Sequence, residues 1–140
     1  MNPPEEAVES RELERDECLR LIAKGVVGRV VFTDAALPAV QPVRYLLDSE
    51  RIIFRVITGS KLAVARHAVV AFQVDEIDPQ TGTGWSVVGV GQAYQLPDPD
   101  RAELGEGELA AWACAFADRI IAIPMHHLTG CRLSLNGGDN

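Results

Sequence analysis

Runs of positive charge are what this sequence most lacks. It sets 13 Lys and Arg against 20 Asp and Glu, a formal net charge of -7 over 140 residues, and the cations form no stripe. Such a chain has little with which to neutralise a nucleic-acid backbone or an anionic bilayer. Neither nucleic acid nor a membrane is an expected partner, and any anion site must be a local positive pocket. No run approaches the roughly 20 apolar residues of a membrane span. The acidic opening, MNPPEEAVESRELERDE, has no apolar signal-peptide core. Cysteine is scarce. Cys18, Cys114 and Cys131 stand far apart, an odd count without a CxxC pair, which argues against a disulfide framework or a zinc site. Small thiols in a reducing, cytoplasmic setting fit best. No GxSxG elbow, Cys/His nucleophile pair or glycosidase-like carboxylate spacing occurs. His67, His126 and His127 have no third ligand at a metal-binding spacing, so no metal is expected. Asp75, Glu76 and Asp78 read as a solvated strand end.

What is present is a core. Apolar residues make up 47% of the chain, enough for one domain, read here as residues 12–135. Residues 1–11 read as a loose leader and 136–140 as a frayed tail. Cys18, Leu21 and Ile22 share a helical face from Glu14 to Lys24, with Gly25 at the C-cap position. Strands are expected at 26–33, 37–47, 51–57, 68–77, 85–96, 118–123 and 129–135. A short helix is expected at 60–67 and a longer one at 102–117. Short strands at hairpin spacing with few helices predict a mainly β fold, a small antiparallel barrel with helices outside it.

Three segments could carry chemistry. Phe54-Arg-Val-Ile-Thr-Gly-Ser-Lys-Leu-Ala63 reads as a strand that turns at Gly59 and opens a helix at Ser60. Arg55 projects from an apolar row, and Thr58, Ser60 and Lys61 follow it. Cations and hydroxyls at a helix start suit a phosphate; a plain Ser cap with a solvated Arg is the other reading. The strand Gln41-Pro42-Val43-Arg44-Tyr45 carries a proline, which removes a ladder donor. It could offer unpaired backbone groups to a flat heteroaromatic ring, or simply protect a sheet edge. Trp85 and Ser86 follow a Gly-rich loop, where the indole could stack on a ring or cap the core.

Taken in order, these segments carry a family resemblance. Its further carriers are Gly28-Arg-Val, Val70-Ala-Phe-Gln-Val-Asp-Glu-Ile-Asp78, Gly84-Trp-Ser-Val-Val-Gly-Val-Gly91 and Leu128-Thr-Gly-Cys-Arg-Leu133. The chain resembles the pyridoxamine 5′-phosphate oxidase-like FMN-binding split barrels, most of all the short bacterial members grouped with nitroimidazole-resistance proteins. The resemblance implies a six-stranded antiparallel split barrel. It implies a homodimer with FMN at the subunit interface. It assigns Pro42, Val43, Arg44 and Tyr45 to the isoalloxazine, chiefly through their backbone. Arg55, Val56, Thr58, Ser60 and Lys61 fall around the phosphate, and Trp85 and Ser86 close to the cofactor. The implied activity is electron transfer from a reduced nicotinamide donor to a small-molecule acceptor, with no catalytic residue assigned. A deazaflavin-dependent reductase of the same fold, or a flavin- or haem-binding module without turnover, are the alternatives. Two departures stand out. The sequence ends at Asn140 without the C-terminal Trp and Arg that grip the phosphate in vitamin B6 oxidases, so that substrate is not expected. Cys131 stands where the family usually has the first Arg of Thr-Gly-Arg-Arg.

Overall fold

The structure, a computed structural model, describes residues 8–56, 59–97 and 119–135. Thr58, Cys114 and the helix expected at 102–117 lie outside the described residues. Nine strands and one α-helix are seen among them. In chain order these are β1 (Val8–Glu12), α1 (Arg15–Lys24), β2 (Val27–Asp34), β3 (Leu37–Asp48), β4 (Arg51–Val56), β5 (Val69–Asp78), β6 (Thr83–Gln92), β7 (Tyr94–Gln95), β8 (Arg119–Pro124) and β9 (His127–Leu135). All pair antiparallel in the order β1-β9-β6-β5-β2-β3-β4-β8-β7.

Six of these strands, β6-β5-β2-β3-β4-β8, make the barrel wall. The wall curls until β6 touches β8 without being its ladder partner. A Cβ added to Gly91 would lie 1.9 Å from the Pro124 carbonyl oxygen, so closure requires a residue without one. Strands β9 and β1 extend the sheet beyond β6. Residues 8–11, part of the leader in the sequence reading, thus join Glu12 in a paired edge strand against residues 131–135 of β9.

Alternation explains the core. From Val69 to Val74 of β5 and along β6 from Gly84 to Gly91 every second residue is buried, the period-2 signature of a half-buried strand. Val30, Phe32, Tyr45, Ile52, Phe54, Phe72, Val74 and Val87 fill the barrel, each such apolar side chain contributing about 1.5–3 kcal/mol by leaving water. The helix α1 plugs one end with Cys18, Leu21 and Ile22. Gly25 at its end is not left-handed but extended, at φ -83°. Its lack of a side chain serves packing: an added Cβ would lie 2.2 Å from the Tyr45 hydroxyl. A second apolar cluster, Ile53, Leu96, Ile120 and Ala122, covers the outer face of β4 and β8.

Candidate functional site

The site begins with a strand that changes neighbours. Residues 37–44 of β3 pair with β2, and residues 45–48 pair with β4. The Tyr45 amide donates to the Val26 carbonyl at 3.0 Å. Odd-numbered residues of this stretch therefore turn their polar groups toward β2, and even-numbered ones turn theirs away. From Tyr45 onward β4 occupies that second side. Before Tyr45 no described strand does, so the backbone of Val40 and Pro42 faces a split in the wall as far as the described residues go. Pro38 and Pro42 put their missing donors on the same open side, where the ladder loses nothing.

Cationic side chains flank the opening. Tyr45 and Phe54 form the last β3–β4 pair and both point into the core. Alternation sends the next residues, Arg44 and Arg55, outward on either side of the split. The Arg55 Nε atom is buried. Gly59, at φ +95°, turns the chain in a conformation that a Cβ disfavours. Ser60 and Lys61 follow at once. The Ser60 hydroxyl accepts from the Leu62 amide at 3.1 Å, which leaves its own proton to donate. The helix expected over 60–67 is a five-residue 3-10 turn, Lys61–Ala65. So short an element has little macrodipole, and side chains must supply the charge for an anion here.

The other sequence-predicted residues divide by face. Val43, Tyr45, Val56 and Trp85 point into the core, and the backbone groups of Val43 and Tyr45 are turned to β2 and those of Val56 to β8, so the backbone contacts to a ring expected of Val43 and Tyr45 are not available on the open side. The Tyr45 hydroxyl donates to the Ile22 carbonyl at 2.5 Å, and the ring meets Phe72 edge to face with centroids 4.8 Å apart. Burial pushes the phenol up to about 12. Pro42, Arg44 and Ser86 lie on the outer face. Trp85 and Ser86 are neighbours in sequence but address opposite faces. Trp85 borders a cleft of about 270 Å³ beside Lys24, Val74 and Asp75.

Sequence reasoning missed what holds Ser86. The Gln73 amide donates to Ser86 Oγ at 3.3 Å and to an Asp75 carboxylate oxygen at 2.6 Å, and its carbonyl accepts from Arg29 at 3.2 Å. The available signal was a lone Gln at the outward positions of an alternating strand. Around this polar chain the outer face is apolar. Val40, Val31, Ala71 and Val90 form one row across β3, β2, β5 and β6, with Val27, Val40 and Val69 more than half exposed.

This register, split wall and order of segments match known proteins. Residues 14–132 fit the sequence profile of the pyridoxamine 5′-phosphate oxidase family. The chain belongs to that family. It is 40% identical over 136 residues to the uncharacterised protein Rv0080 of Mycobacterium tuberculosis, covering 93% of this chain and 90% of that one. An FAD-binding protein from Mesorhizobium loti superposes with a TM-score of 0.73 at 23% identity, covering 91% of this chain and 98% of that one. The FAD-binding protein from Mycobacterium smegmatis gives 0.71 at 24%, covering 89% and 98%. The split-barrel fold expected from the sequence is the fold observed. The wall has the six expected strands, with three more added at its edges. No described helix is long and apolar enough to cross a membrane.

Proposed function

We infer that this family member binds FMN at the β3–β4 split and passes electrons from a reduced nicotinamide donor to a small acceptor. The observation that carries the reading is the β3 edge at Val40 and Pro42, which no described strand pairs on its second side, followed along the chain by Arg55, Ser60 and Lys61. A planar ring with imide edges can bond the open carbonyls and amides. The phosphate then meets two cations and a hydroxyl in an otherwise acidic chain. Bound FMN would supply the hydride and electron chemistry. The chain's own residues bind and orient: Arg55 and Lys61 hold the anionic end, and the β3 edge around Pro42 fixes the plane of the ring. The absence of an assigned acid or base is consistent with solvent completing proton transfer.

The apolar outer face supports a homodimer, because a water-exposed row of valines is a poor surface for a monomer. Docking a second copy there would enclose Ser86 and its Gln73 tie. A cytoplasmic setting suits the free Cys18 and Cys131 thiols. FAD is the second reading for the cofactor, since the two superposed relatives are FAD-binding proteins.

Titration of the apo-protein with FMN, followed by flavin fluorescence, tests the reading. One FMN per subunit is the expected stoichiometry. Arg55→Ala with Lys61→Ala should weaken binding at least about tenfold while the protein stays folded, since a charge-assisted hydrogen bond contributes about 1.5–3 kcal/mol. An unchanged constant in that double variant would sink the phosphate assignment. Tighter binding of FAD than FMN would favour the second reading.

A further inference from the structure

The polar chain on the outer sheet face is a charge pair held apart. Arg29 stands opposite Gln73 in the β2–β5 register. Asp75 follows Gln73 two residues on and so shares its face of β5. The Gln73 side chain bridges the two. Its carbonyl accepts from the guanidinium at 3.2 Å, and its amide donates to the carboxylate at 2.6 Å. Arg29 and Asp75 make no ion pair with each other or with any other described residue. One bond to a neutral amide leaves most of the five guanidinium donors unused. Around this trio the face is apolar. Val27 and Val31 flank Arg29 along β2, Ala71 flanks Gln73 along β5, and Val88 is the partner of Gln73 on β6. Arg29 is exposed, and Val27 beside it is more than half exposed.

Covering such a face would take both charges out of water. An unpaired guanidinium or carboxylate is costly to bury, and a counter-charge at hydrogen-bonding distance offsets that cost. In a two-fold dimer every contact of residue i with residue j is made twice. A cation and an anion at the two ends of one side-chain amide match themselves after half a turn about an axis through that amide. We propose that the outer faces of two copies meet about a two-fold axis through Gln73, with Arg29 of each copy paired to Asp75 of the other. The partner is a second copy of this chain because the charge pattern is its own complement and needs no other kind of surface. This pairing rests on the homodimer reading and adds to it the orientation of the two copies.

Sedimentation equilibrium of charge-swapped variants tests the pairing. Arg29→Asp and Asp75→Arg should each weaken the homodimer at least about a hundredfold, because two repulsive contacts replace two attractive ones, each worth at least about tenfold. Mixed in equal amounts, the two variants should form a heterodimer close to wild-type affinity, since both contacts are then complementary with the signs exchanged. Circular dichroism checks the fold of each. Where a swapped variant does not fold, Arg29→Gln, Asp75→Asn and the double neutral variant replace it. Each single change leaves a charge facing no counter-charge, so the double variant should dimerise more tightly than either. A wild type that stays monomeric at high concentration would overturn the homodimer reading and the pairing with it. A dimeric wild type whose folded swapped variants dimerise equally well, or stay monomeric when mixed, would overturn the pairing alone. A double neutral variant no tighter than the single ones would do the same.

Discussion

Tyr45 shows how one side chain can fix a binding strand without facing the ligand. Its ring fills the barrel, its hydroxyl bonds the last turn of α1, and its amide ties β3 to Val26. Burial holds the phenol protonated to about 12, against about 10 when unfolded. Below pH 10 both states keep the proton and stability is unaffected. Between about pH 10 and 12 only the unfolded state loses it, so stability should fall by about 1.4 kcal/mol per pH unit in that window. Denaturant titrations across the window should show this slope in the wild type and lose its Tyr45 part in Tyr45→Phe. At neutral pH the same variant should cost about 1 kcal/mol for the lost hydrogen bond. A wild-type slope equal to that of the variant would mean the phenol is not held. Cys18 is likewise pushed up, by burial first and Glu17 second, so it should resist alkylation in the folded protein.

At the scale of the element, turns and closures carry the strain. The β2–β3 hairpin turns through Ala35 and Ala36, both with positive φ, 52° and 69°. A two-residue turn of this kind favours Asn-Gly, and left-handed backbone costs an L-residue about 1–2 kcal/mol. Ala35→Asn with Ala36→Gly should therefore raise stability by about 1 kcal/mol, seen as a higher denaturant midpoint with unchanged m-value. Gly91 answers the opposite demand. Its Cβ would strike the backbone of Pro124, which cannot swing away as a side chain can. Gly91→Ala should cost about 1–3 kcal/mol, with the loss concentrated where β6 meets β8. Read along the sequence, Gly89 and Gly91 only weaken a strand; folded, they admit Met125 and Pro124 and let the wall close.

For the whole molecule the question is what covers the outer sheet face. If a second copy does, Val40→Glu should shift the dimer to monomer in sedimentation while the far-ultraviolet spectrum stays native. A wild type that sediments as a monomer at high concentration would leave the valine row for another partner. The net charge of -7 argues that such a face associates through apolar contact in a defined register, not through nonspecific charge attraction.

Much of this was legible in the chain. Strand positions followed from short apolar runs bounded by turn residues, and α1 from Cys18, Leu21 and Ile22. The segments around Pro42 and Arg55 stood out because proline and a lone cation in an apolar strand both break a local pattern. Local patterns are what a sequence encodes directly. Only the tertiary structure decided that residues 8–12 pair with β9, because strand pairing over more than a hundred residues depends on closure of the whole wall. It also separated Trp85 from Ser86 by face and turned Tyr45 inward. It brought Arg29 beside Gln73, 44 residues away in the chain, a meeting that sequence spacing cannot express because it is made by register across a sheet.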